Sequence, residues 1–84
     1  MRIKLHPLLS RRAGREEVEV RGRNLREALQ SLLSELPDIK EDIFDENDLR
    51  PYIFILLNGE IISDLDLPLK EEDLIEIGIL AEGG

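Results

Sequence analysis

From Tyr52 to Leu57 the chain is apolar at every position, and Asn58-Gly59 follows at once. Asn-Gly after an apolar run is a strong hairpin signal, because both residues tolerate the left-handed backbone of a tight turn. Ile61-Ile62 then reads as a short return strand. A strand apolar on both faces needs cover on both. The chain has 84 residues, and one of that size buries only about 60–65% of the surface it exposes when unfolded. With one clear helix it covers only one face of a sheet. Either Tyr52, Phe54 and Leu56 or Ile53, Ile55 and Leu57 therefore face outward. We expect the first set to do so and to bind a partner.

The helix is written between Asn24 and Pro37. Asn24 is a good N-cap, and Glu27 stands three residues on, as in a capping box. Leu25, Ala28, Leu29, Leu32, Leu33 and Leu36 recur at helical spacing. They form one apolar stripe, too short for a coiled-coil seam and suited to a core. Pro37 stops the helix.

Strand patterns flank it. Ile3 and Leu5 alternate with Arg2, Lys4 and His6, and Pro7 ends or bends that strand or marks a sheet edge. Ser10 to Arg15 reads as a turn, after which Val18 and Val20 alternate with Glu17, Glu19 and Arg21. The first two strands thus read as a hairpin, with His6 an ordinary surface residue. Asp38 to Asp48 reads as a solvated acidic loop pinned by Ile39, Ile43 and Phe44. Its spacing does not match a calcium loop. Ser63 to Asp73 is a connection anchored by Leu65, Leu67 and Leu69, and Ile75, Ile77 and Ile79 line one face of a last strand. In so small a sheet the first and last strands must be neighbours. The order predicts an α+β, β-grasp fold: a mixed sheet with one helix packed on one face. Residues 1–80 form the domain, and residues 81–84 a protruding reactive tail.

Composition narrows the chemistry. There is no cysteine and a single histidine, so disulfides, thiolate nucleophiles and a metal centre are not expected. No apolar run is long enough to span a bilayer, and no signal-peptide pattern opens the chain. A cytoplasmic protein with no membrane partner is the expectation. The net charge of −8 is uneven. Residues 1–37 hold eight Lys+Arg against five Asp+Glu, or +3, and residues 38–84 hold three against fourteen, or −11. So acidic a second half repels phosphates, which argues against nucleic acid and suits a basic protein surface.

The chain closes Leu80-Ala81-Glu82-Gly83-Gly84. Two glycines are the thinnest backbone available and suit a tail that threads a narrow channel. Four residues reach roughly 14 Å beyond the sheet.

Three stretches together, Arg50 to Glu60 with its apolar strand and Asn-Gly, Leu65 to Ile75 with Pro68-Leu69 before an acidic turn, and terminal Gly83-Gly84, resemble the MoaD/ThiS family of ubiquitin-like sulfur carriers. The length suits the small subunit of molybdopterin synthase. What the resemblance implies is a carrier that binds no cofactor itself. An E1-like adenylating enzyme would use MgATP to activate the Gly84 carboxylate, and sulfur delivery would give a thiocarboxylate. The molybdopterin synthase large subunit would accept the tail and the sulfur. Gly84 is then the reactive carboxyl, and Gly83 permits access. Leu80 and Ala81 line the partner's groove, and Tyr52, Phe54 and Leu56 form the docking face. A carboxylate is a poor electrophile, so an acyl-adenylate supplies the leaving group and the carrier needs no nucleophile of its own. Two alternatives share the fold: a ubiquitin-like modifier conjugated through Gly84, and an interaction domain with an inert tail.

Overall fold

Alternating Ile3 and Leu5 build β1 (Arg2–Leu5) in a computed structural model of the chain, in which the described residues are 1–80. β2 (Glu17–Glu19) pairs antiparallel with β1, placing Ile3 opposite Val18. β7 (Leu74–Ile79) lies parallel on its other side, with Ile3 opposite Ile75 and Leu5 opposite Ile77. β5 (Ile53–Leu57) runs antiparallel to β7 and to β6 (Glu60–Ile62). The five strands follow the order β2-β1-β7-β5-β6. The first and last strands are thus neighbours, as a β-grasp requires, and β1 is an interior strand.

α2 (Leu25–Glu35) covers one face. Its Leu25, Ala28, Leu29 and Leu32 are buried with Ile3, Val18, Ile55, Ile75 and Ile77 in one core. At its start Asn24 Oδ1 accepts from Glu27 N at 2.9 Å, and Glu27 Oε1 accepts from Arg23 N at 2.8 Å. A capping box would send that second bond to Asn24, so the reciprocal contact here is shifted one residue back. The connection after β6 satisfies further first-turn donors: Leu25 N donates to Leu67 O at 3.1 Å and Arg26 N to Leu65 O at 2.8 Å.

Two regions differ from the sequence expectation. The stretch read as strand end and turn holds α1 (Pro7–Ala13). Pro7 takes its first turn, where a missing N–H costs nothing. His6, expected to be an ordinary surface residue, is its N-cap: Nδ1 accepts from Leu8 N at 3.1 Å. Gly14 closes the helix in the left-handed region, φ 75°, which glycine adopts with no Cβ penalty. The acidic stretch is likewise ordered, as a 3-10 turn (Pro37–Ile39), α3 (Lys40–Ile43) and a small hairpin of β3 (Phe44–Asp45) with β4 (Asp48–Leu49). Ile39 and Ile43 are fully buried, which is the pinning expected of them.

A candidate partner-binding surface

β7 is the central strand, bonded to β1 on one side and β5 on the other. The ladder runs past its end, where Leu80 N donates to Tyr52 O at 2.7 Å. The point from which the chain leaves toward its terminus is therefore held by the sheet. Ala81, Gly83 and Gly84, expected to act at that terminus, lie outside the described residues.

The register sets what the outer face presents. Ile53 and Ile55 are buried, so Tyr52, Phe54 and Leu56 take the face away from α2. Leu56 stands opposite Ile61 on β6 and Glu76 on β7, and Phe54 opposite Gly78. Ile61, Leu80 and Tyr52 are 70%, 55% and 42% exposed. The apolar face thus runs from the tail exit to the sheet edge. Beyond it, β1 and β2 present Arg2 and Lys4 opposite Glu19 and Glu17. The β5–β6 side of the outer face is apolar, the β1–β2 side is charged, and Glu76 of β7 stands between them, opposite Leu56 and Lys4.

Gly78 shapes the apolar half. A Cβ there would overlap the Phe54 ring, which lies over the glycine. The ring shields backbone that glycine leaves bare, and glycine lets the ring lie flat. At the far end of β7, Asn58 ties the turn between β5 and β6 to the strand start. Its Oδ1 accepts from Leu74 N at 3.0 Å and its Nδ2 donates to Asp73 Oδ1 at 3.0 Å. Asp73 Oδ2 accepts from Lys70 N at 2.7 Å. That bond first, and the one from Asn58 second, hold the Asp73 carboxyl below its usual value.

Among the described residues no group of three or more His, Cys, Asp or Glu is placed to hold a metal ion. No helix of the described residues is long and apolar enough to cross a membrane. The arrangement is a rigid platform: an apolar face beside a strand end, suited to docking and presentation.

Sequence reasoning passed over two members of this face. Ile61 was legible, since a two-residue Asn-Gly turn puts Leu57 opposite Glu60 and hence Leu56 opposite Ile61. Gly78 was signalled as a glycine inside a strand, a mark of close approach. Its partner, Phe54, depends on the pairing of β5 with β7.

No family model and no curated protein matches the sequence significantly. Solved structures do. Small archaeal modifier protein 1 from Methanosarcina acetivorans matches at 31% identity and TM-score 0.87, over 99% of this chain and 94% of that one. Its namesake from Haloferax volcanii matches at 27% and TM-score 0.90, over 100% and 98%. A complex of subunits 1 and 2 of the molybdopterin-converting factor from Helicobacter pylori contains a chain matching at 25% and TM-score 0.63, over 100% of both chains.

Proposed function

The chain belongs to the MoaD/ThiS-type family of ubiquitin-like β-grasp carriers and modifiers, and from that premise we propose that it is a sulfur carrier charged at Gly84. The Gly84 carboxylate attacks the α-phosphorus of MgATP held by an E1-like enzyme and expels pyrophosphate. Hydrosulfide from a sulfur source then attacks the acyl carbon and expels AMP, leaving a thiocarboxylate with no change of oxidation state. The developing charge is carried by the enzyme's own metal and donors. This chain contributes the acyl group, the reach of residues 81–84 and the face that docks. The observation that carries the reading is the juxtaposition of an apolar outer face, exposed at Tyr52 and Ile61 and half-buried at Phe54 and Leu56, with the end of the central strand at Leu80. Molybdopterin synthesis is the destination we favour, with the synthase large subunit as acceptor, because the Helicobacter match pairs a chain of this fold with a second subunit.

The match to two modifier proteins favours a second reading, conjugation of Gly84 to lysines of other proteins. Both readings share the activation step. Intact mass after incubation with the E1-like enzyme of the same genome, MgATP and a sulfur source tests that step. Exchange of one oxygen for sulfur in the full chain, and not in a copy lacking Gly84, is the expected result. An unmodified full chain with no adenylate overturns it. Adding the synthase large subunit with its pterin precursor, or a cell extract, then separates sulfur transfer from lysine-linked adducts.

A further inference from the structure

The strand end at Leu80 has a second neighbour besides the apolar sheet face. α1 packs Leu9 into the core and leaves Leu8 54% exposed, with Arg11 and Arg12 on its last turn. A cleft of about 380 Å³ lies between this helix and the end of β7, lined by Leu8, Arg11, Arg12, Asp42, Tyr52 and Ile79 among others. Tyr52 belongs to both the cleft and the outer face, so the two surfaces are continuous around the point where the chain leaves the sheet.

The three arginines of this region differ in how far they are committed. Arg12 Nε lies 2.7 Å from Asp42 Oδ2, and its Nη2 donates to Asp38 O at 3.4 Å. Arg15 lies 3.7 Å from Glu35. Arg11 makes no ion pair among the described residues and stands exposed on the cleft. In a chain of net charge −8, an uncommitted cation beside the tail exit is a local reversal of sign. Screening confines its influence to about 8–10 Å, the distance at which a docked surface lies and a distant one does not.

We propose that α1 is a second docking element, and that its cleft receives a carboxylate side chain flanked by apolar ones at the mouth of the activating enzyme's tail channel. The inference rests on the carrier reading above and adds to it the sign of the partner's rim. The acidic bulk of the chain steers it toward basic surface. The Arg11 cleft then sets orientation, because only one way of docking puts a carboxylate against it. Leu8 and Tyr52 exclude water from that pair, which strengthens it.

The test is ATP–pyrophosphate exchange by the E1-like enzyme of the same genome, with this chain as the varied substrate. Arg11→Glu and Leu8→Ser are compared with Arg23→Glu, an exposed cation paired with Glu27 at 3.8 Å at the opposite end of the sheet, where it lines a cleft with Met1 and Glu71. The expected result is a KM raised about tenfold by Arg11→Glu with kcat unchanged, a gap that narrows with added salt, and a change under about twofold for Arg23→Glu. Thermal melts matching the parent show that the variants fold. If Arg11→Glu and Leu8→Ser match the parent while loss of Gly84 abolishes exchange, the α1 proposal is overturned and the carrier reading stands. If the parent itself supports no exchange, both fall together.

Discussion

Gly78 and Phe54 are matched across two strands, and each explains the other. Any Cβ at 78 would overlap the ring, so Gly78→Val must push Phe54 off the sheet or move β5. Overpacking of that kind costs about 1–3 kcal/mol, which urea unfolding of the variant would register. A larger change in docking than in stability is expected, since the ring is part of the outer face. Asp73 supplies a pH-dependent counterpart. Its folded carboxyl is more acidic than the usual 3.8 because Lys70 N and Asn58 donate to it. Its contribution is therefore complete above the unfolded value and fades as pH falls through the lower folded one. The melting-temperature gap between the parent and Asp73→Ala should be widest near about pH 7 and shrink toward about pH 2. A gap that did not change with pH would remove the charge from the account.

At the scale of elements, α2 shows what local sequence can specify. Its cap, its stripe and its stop were all written in Asn24 to Pro37, and the helix spans Leu25–Glu35. Asn24→Ala should cost about 1 kcal/mol by leaving the Glu27 N–H without its acceptor. Leu29→Ala, which opens a cavity at a fully buried site, should cost about 2–5 kcal/mol in the same unfolding assay. α1 was illegible for a physical reason. Seven residues make two turns, and only Leu9 is buried, so no periodicity exists to be read. Its signals were the caps, His6 with Pro7 and then Gly14, and each resembles turn chemistry when taken alone. The acidic stretch was misjudged in the same way. Most of its charges are exposed, but Asp42 is half-buried beside Arg12, and Ile39 and Ile43 bury enough side chain to order the backbone between them.

The molecule as a whole divides its outer face between a charged side on β1 and β2 and an apolar side on β5 and β6, with β7 between them carrying both Glu76 and Gly78. The strand set that would face outward could be narrowed to two from composition and size alone. Tyr52, Phe54 and Leu56 were the set expected outward, and the burial of Ile53 and Ile55 puts Phe54 and Leu56 there; what no local pattern encodes is the pairing with β7 that sets Phe54 over Gly78. Ile61→Ser tests the apolar half at little cost to folding. At a site so exposed the stability change should stay within about 0.5 kcal/mol. Co-purification with the activating enzyme should nonetheless weaken, and unchanged capture would point the docking elsewhere.

The parallel pairing of β1 with β7 also bears on how the chain responds to force. Leu80 and Arg2 lie near opposite ends of two strands that run side by side in the same direction. Tension drawn between those points pulls the strands past one another along their length. Their hydrogen bonds lie across that pull and load together, so none can be unzipped singly. An engine that grips the protein by its tail would meet the sheet in its stiffest direction.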